Sequence, residues 1–529
     1  MKITHMRIVM VIVAMIGGIL SGHASAAELI KWTYVSPAGN DSNDGSSKDK
    51  PLRTIAKALS VAGSGGHIVL AAGRYVQPAP LLLSQPVTLI SPPTPAWQPW
   101  APIVPKDPVS NPQQPDELTS LPWPPPVDDL CKAQACIETQ SGDRVIAVQG
   151  KFATPVALYS IVVLGPDLHA TSQASSYGVV ADGVPLEVNN VTIVGGKAGP
   201  GTNAASAGTS ATVKGAPGGT GGSCQINAAK GCDCINGQNG GSATDASGAV
   251  TVPGGTGAGV VNNYCPVDGI TSLKEQPDGW GGNPPSEDAP PGVGGTPADL
   301  TADYFIRAGG ELQWRGAVAG PGSLGSIGPG GGGGGVGGTQ AYYIVLCGGS
   351  YPPWTAYAMG GAGGTGGQGG SPGNGATGGE QGGGAFGMVA NNATVTGAEL
   401  NIYGGQGGQG GAGGQGGAGT AGSPGNGGAG GTITGRCAGD TGAKSGGNGG
   451  PGAAGKAGGA GGGGAGGNGG PSVGVALIGT GALDAKLRVL TRGGASGQAN
   501  EGGPAGPNGP LAAPGSPGVQ GTTLRYSLK

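Results

Sequence analysis

The chain has 529 residues, of which 123 are glycine and only three are phenylalanine, too much glycine for an ordinary globular core. Charged residues make up 10% and the formal net charge is −3, which leaves no footprint for nucleic acid. Eight cysteines, an even count, point to disulfides in an exported protein.

Residues 1–26 read as a secretory signal. Lys2 and Arg7 precede an apolar run from Ile8 to Leu20, and Ala24-Ser25-Ala26 offers a small-residue cleavage site. The run is short for a membrane span. No later stretch is apolar enough to cross, so no membrane span is expected after signal removal. The expected product is secreted, extracellular or held at a cell surface.

Residues 27–91 should form the entrance to a solenoid. Trp32–Ser36 reads as a strand and Pro37–Gly45 as a turn-rich loop. Pro51–Ala62 places Leu52, Ile55, Ala56 and Leu59 on one helical face, with Pro51 suited to the first turn. Gly65-Gly66 ends that helix, and alternation resumes at His67. A helix over the open end of a solenoid covers an edge that would otherwise template aggregation.

Three segments here carry a resemblance: Tyr34-Val-Ser-Pro-Ala-Gly-Asn-Asp41, Pro51-Leu-Arg-Thr-Ile-Ala-Lys-Ala58 and Ile68-Val-Leu-Ala-Ala-Gly-Arg-Tyr75. Together they resemble the N-terminal cap of the pectate-lyase-like proteins. The resemblance implies an all-β fold, a right-handed parallel β-helix with a helical cap. That family includes polysaccharide lyases and hydrolases, and also surface and adhesin proteins. The resemblance covers residues 31–91 well and the repeated units below loosely.

Residues 92–143 are a proline-rich loop with Trp97, Trp100 and Trp123. Proline lacks the N–H donor, so this stretch cannot join a central ladder. The tryptophans suit a glycan-stacking platform or the packing of the loop on a coil flank. Coils resume over 144–196, where one unit stands out: Tyr177-Gly-Val-Val-Ala-Asp182 followed by Val191-Thr-Ile-Val194. It returns at Phe386 with Leu400 over residues 386–405, and at Val473 with Leu487 in the last coil and tail, 472–529. In each copy the second apolar run begins fourteen residues after the first. Stacking the copies puts Ile146, Val179, Met388 and Val475 in one inward column and Ile161, Val191, Leu400 and Leu487 in another. Thr192, Asn401 and Arg488 fall on the opposite face.

Between the copies lie a Gly/Cys-rich insert, 197–385, and a Gly-triplet hairpin, 406–471. Glycine falls at every third position from Gly404 to Gly431, and likewise from Gly446 to Gly470, from Gly322 to Gly337 and from Gly361 to Gly373. Period three is the repeat of the polyproline II conformation. The intervening positions are mostly Gly, Ala, Gln and Asn, which favours a polyglycine II bundle over a collagen triple helix. The competing reading is a flexible linker.

Catalytic chemistry has thin support. Only His67 and His169 lie outside the signal, and no Gly-x-Ser-x-Gly nucleophile motif occurs. A lyase needs convergent carboxylates, with calcium as their metal, and a basic residue; a hydrolase needs paired carboxylates. The candidates are Asp143, Asp182 and Glu187, with Asp167 nearby. Asp182 aligns with Asn391 and Ile478, so no acidic column forms. Asp484, Lys486 and Arg488 read as a solvated, salt-bridged face. No resident cofactor is expected. The first functional expectation is an exported structural or adhesive protein whose glycine lamella meets a polysaccharide or associates with itself, with ice binding as a special case. The second is a polysaccharide lyase or glycoside hydrolase.

Cys131 and Cys136 are expected to pair locally. Cys224, Cys232, Cys234 and Cys265 should form two further bridges, because their spacing is poor for zinc. Cys347 and Cys437 sit at reversals beside triplet runs and should bond to each other, clamping the two inserts. Non-reducing peptide mapping checks this, and either cysteine found linked elsewhere overturns the parallel arrangement of the inserts.

Overall fold

In the computed structural model the described residues are 32–529 without 93–125, 210–213, 221–222, 228–230, 236–237, 245–249, 259–280, 332–339, 345–353, 359–361, 363, 428–431, 434–443, 446–449 and 507–508. Three parallel sheets wind into a β-helix. The first contains Trp32–Val35, His67–Leu70, Thr88–Ile90, Val156–Tyr159, Leu186–Asn189, Thr394–Gly397 and Ala482–Leu483. The second contains Gly73–Gln77, Ala135–Thr139, Val162–Leu164, Val191–Val194, Glu399–Gln406 and Arg488–Ala495. The third contains Leu81–Leu83, Arg144–Gln149, Ser176–Asp182, Ala385–Asn391, Ser472–Ile478 and Gln520–Leu528.

Residues in register stack into columns that fill the interior. On the third sheet Leu81, Ile146, Val179, Met388 and Val475 succeed one another. On the second, Tyr75, Ile137, Val163, Ile193 and Ile402 do the same. All belong to one apolar cluster that is closed to water. Each such aliphatic side chain contributes about 1.5–3 kcal/mol by leaving water, which is what holds a fold with so few aromatic residues together.

Two details differ from the sequence reading. Each coil has a third strand, such as Leu186–Asn189 and Thr394–Gly397, where the repeated unit suggested only a turn between two runs. In the last copy the second strand is displaced by two residues: Leu400 pairs with Val489, not Leu487, and Asn401 with Leu490, not Arg488. The cause is one extra residue in each of two turns: residues 479–481 stand where 392–393 do in the middle coil, and the corner before the second sheet is also one residue longer. A single residue, Ala398, separates Thr394–Gly397 from Glu399 in the middle coil. In the last coil Asp484–Leu487 fold into a turn closed by the Leu487 N–H on the Asp484 carbonyl. Leu487 stays buried at that turn.

The cap helix spans Ile55–Ala62 and starts later than the prolyl signal suggests. The Leu52 N–H bonds the Tyr34 carbonyl, which keeps Leu52 extended. Thr54 then caps the helix by accepting the Lys57 N–H, and Asp41 fixes Thr54 through both its N–H and its hydroxyl. The buried face is Ile55, Ala58 and Ala62, whereas Ala56 is exposed.

Both glycine-rich inserts leave after the second sheet and return to the third, so they project from one corner of the solenoid. Their runs bond sideways through the backbone. The N–H groups of Gly452, Gly455, Gly458, Gly461, Gly464, Gly467 and Gly470 reach the carbonyls of Asn426, Ser423, Thr420, Gly417, Gly414, Gly411 and Gly408 at 2.7–3.1 Å. The N–H groups of Gly364, Gly367, Gly370, Gly373, Ala376, Gly379 and Gly382 step along the carbonyls of 450–468 in the same way. Every third residue is spent on a neighbour, and where that residue is one of these glycines it has little or no room for a side chain. A Cβ on Gly464 would lie 1.8 Å from the Thr377 carbonyl oxygen, and one on Gly461 equally close to that of Asn374.

Substituting Gly464→Ala should destabilise the insert by roughly 1–3 kcal/mol or more, because backbone cannot move aside as a side chain can. Gly208→Ala, where a Cβ meets nothing within 4 Å, should be neutral. Amide exchange across 452–470 and thermal unfolding read the difference, and equal behaviour of the two variants contradicts the packing argument.

Candidate functional site

The carboxylates singled out in the sequence do not converge. Asp182 lies in register with Gln149, six positions along the strand direction from Asp143, or roughly 20 Å at ~3.3 Å per residue. Glu187 belongs to the first sheet, not the third. It accepts from the Tyr159 hydroxyl at 2.8 Å and from Asn189 Nδ2 at 3.2 Å. Asp167 bonds His169 Nδ1 at 2.6 Å and pairs with Lys197. Among the described residues no three His, Cys, Asp or Glu side chains come together to hold a metal, calcium included.

Asp143 and Asp182 serve a different purpose. The insert sends back a hairpin, Tyr304–Ala308 and Glu311–Arg315, that joins the third sheet through Gln520–Leu528 and packs on its outer face. Phe305 lies 5.3 Å from Phe386, which stacks on Tyr177 at 5.4 Å. The Tyr177 hydroxyl accepts the Trp314 N–H at 2.8 Å. At one end of this patch Arg144, 3% exposed, grips both oxygens of Asp143 at 2.7 and 2.9 Å and donates to the Leu312 carbonyl. At the other end Arg307 forms a fork on Asp182 at 2.6 and 2.7 Å, and Asn391 Nδ2 donates to the same carboxylate. The Arg307–Asp182 fork bridges hairpin and sheet directly, whereas Arg144, held by its neighbour Asp143, reaches the hairpin through the Leu312 carbonyl and through Glu311 at 3.3 Å. The sequence does signal this hairpin: Gly309-Gly310, both at positive φ, sits between two alternating runs.

The other candidates fall as follows. Trp97, Trp100 and Trp123 lie outside the described residues, as do Cys265, Cys347 and Cys437. Cys131 and Cys136 are joined by a disulfide that links the helix Val127–Ala133 to the second sheet. Cys224 stands in backbone register with Cys234 across the hairpin Ser223–Asn227/Gly231–Ile235. His67 packs against Trp32 at 4.9 Å, and burial lowers its pKa. Asp484 accepts the backbone N–H of Lys486, and among the described residues no ion pair joins it to Lys486 or Arg488, so the expected salt-bridged face is absent there.

The glycine bundle offers the other surface of interest. Where the run 198–209 lies against its neighbours, the N–H groups of Gly383, Glu380 and Asn374 donate to its carbonyls at Gly199, Thr202 and Gly208. Beyond Thr209 the next two N–H groups in that series turn to side chains. Ser371 N–H donates to Thr420 Oγ1 at 2.7 Å, and Gln368 N–H to Ser423 Oγ at 2.8 Å. Hydroxyls therefore take the place of backbone carbonyls as acceptors for these two groups. On the flank itself Thr202, Asn203, Ala205, Ser206, Gly208 and Thr209 are exposed, two of every three residues.

A family model described as a protein of unknown function (DUF1565) matches residues 37–90. No curated protein matches the chain. Among solved structures it is similar to a rhamnogalacturonan lyase (17% identity, 32% of this chain and 40% of that one, TM-score 0.19). It is also similar to a PL6-family alginate lyase (15% identity, 32% and 17%, TM-score 0.18). A pectate lyase completes the set (15% identity, 32% and 39%, TM-score 0.17). The chain spans at most 40% of the length of these structures.

Asp303, at the foot of the hairpin, is 8% exposed and accepts from Gln381 Nε2 at 3.2 Å and from the Ala317 N–H at 3.3 Å. Burial pushes its pKa up to about 6. A raised carboxylate pKa favours the fold below the unfolded value near 4 and loses that contribution as pH rises through about 6. The stability of Asp303→Asn relative to the parent should therefore climb by up to about 3 kcal/mol between pH 4 and pH 7 and then level off. Urea unfolding at stepped pH checks this, and a difference independent of pH contradicts it.

Proposed function

We propose that this is an exported structural or adhesive protein in which the β-helix is a scaffold for a bundle of polyglycine II type. The observation that carries the reading is the ladder of sideways backbone bonds at every third residue, shared by runs that start and finish on one corner of the solenoid. The apolar run at Ile8–Leu20 supports export. The bundle's exposed flank repeats every three residues, about 9.3 Å at ~3.1 Å per residue. Residues 202–209 present hydroxyls, an amide and methyl groups, with the Glu380 carboxylate bonded to the Thr202 hydroxyl at one end. Such a surface suits a regular, neutral counterpart: a polysaccharide, a second bundle or, as a special case, ice. The alternative, a polysaccharide lyase or glycoside hydrolase, needs carboxylates free to meet substrate. Asp143 and Asp182 are instead gripped by Arg144 and Arg307.

Purified mature protein should be offered acidic and neutral polysaccharides, with calcium and with chelator. The expected result is retention on a neutral glycan, or concentration-dependent self-association, without chain cleavage. Substituting Thr202 and Ser206 by lysine should weaken it. Calcium-dependent cleavage would replace this reading with the enzymatic one.

A further inference from the structure

The last rung of the solenoid is incomplete. The third sheet continues past Ser472–Ile478 with Gln520–Leu528, but among the described residues no strand follows Ala482–Leu483 in the first sheet or Arg488–Ala495 in the second. Arg488–Ala495 therefore has one edge paired to Glu399–Gln406 and, among the described residues, the other edge unpaired. Its eight residues offer about 26 Å of backbone edge at ~3.3 Å each.

The interior columns change character here. Ile402 is followed by Thr491, Val475 by Thr523, and Leu477 by Arg525. Thr491 Oγ1 is shielded from water yet has no hydrogen-bond partner, and it lines a notch of about 220 Å³ beside Gly474, Gln520 and Thr522. Leu483 and Val489 remain only partly covered. Cations gather on this end: Lys486, Arg488 and Arg525 are exposed and Arg492 is half-buried. Among the described residues none has a carboxylate within ion-pair distance. Four cations without a carboxylate partner at this end stand out in a chain whose net charge is −3.

We propose that this edge receives one extended, carboxylate-bearing polypeptide segment as the next rung of the second sheet. Register defines its chemistry. Residues of the guest strand above Val489 and Thr491 face the interior, so an aliphatic residue and a small polar one suit them. Residues above Arg488 and Arg492 face outward four positions apart, where carboxylates are favoured. A second copy of this chain is a poorer guest. Its opposite end is closed by the helix Ile55–Ala62, and the exposed Lys48, Lys50, Arg53 and Lys57 stand near the Asp41 loop.

The test uses the full chain and a fluorescein-labelled octapeptide with glutamate at positions two and six, valine at three and threonine at five. Saturable binding is expected by anisotropy at low salt, with slowed amide exchange confined to 488–495. Glutamine in place of both glutamates, or Arg488→Gln with Arg492→Gln, should weaken it about tenfold. Backbone N-methylation of the peptide should abolish binding, because the ladder is lost. Binding that survives N-methylation, or that leaves 488–495 unprotected, would mean charge attraction alone and overturns the proposal. No binding would mean that the arginines merely keep the edge from aggregating. A free protein already protected at 488–495 and sedimenting as a dimer would assign the edge to a second copy, also against the proposal.

Discussion

The absence of a Cβ at every third residue is the constraint on which the inserts depend. Two extended runs can exchange N–H and carbonyl only if their backbones approach until a methyl group would overlap the facing oxygen; at Gly408, Gly461 and Gly464 that overlap would be at 1.8 Å. Each bond adds only about 0.5–1.5 kcal/mol net. Ordering one glycine costs roughly as much in backbone entropy. Such a bundle gains little by itself. It holds because neighbouring runs make the same bonds in step, so that fixing one run fixes the partners of several others.

The solenoid supplies that step. Ser176 is in register with Ala385, and Ala385 with Ser472, so the inserts begin and end at rungs a fixed strand spacing apart. Their first residues are already paired: the Lys197 backbone bridges both Asp167 and Gln406, and the Gly407 N–H bonds the Ala495 carbonyl. The order of the β-helix thus passes straight into the glycine runs without a hinge. The hairpin Tyr304–Arg315 adds a second anchorage, since it ties the middle of the long insert back to the third sheet through aromatic packing, the Arg307–Asp182 fork and the contacts of Arg144 with Leu312 and Glu311.

Much of this was legible in the sequence, and the rest was hidden for physical reasons. The inward column Ile146, Val179, Met388 and Val475 was readable because aliphatic residues recur in strands bounded by fixed glycines. The middle strands were not. Leu186–Asn189 alternates apolar and polar over only four residues, and such a short run looks like a turn. The slip at Leu487 escaped because both Leu487 and Val489 are aliphatic, and only the lengths of the two preceding turns decide which enters the column. The carboxylates were found as residues, but what they pair with was not legible. Their arginine partners, Arg144 and Arg307, stand one and 125 positions away, and the second distance is invisible before the insert is folded.

Those arginines also bear on what the scaffold presents. A third sheet with its outer face open would leave Tyr177, Phe386 and Val473 in water, an apolar stripe in parallel strands. The returning hairpin covers that stripe, Arg144 and the Arg307–Asp182 fork hold its two ends, and both carboxylates stay paired. Closing one face in this way leaves the glycine flank and the unfinished last rung as surfaces where backbone and small polar groups still face outward. It is on those surfaces, which are built from main chain more than from reactive side chains, that recognition by this protein has room to occur.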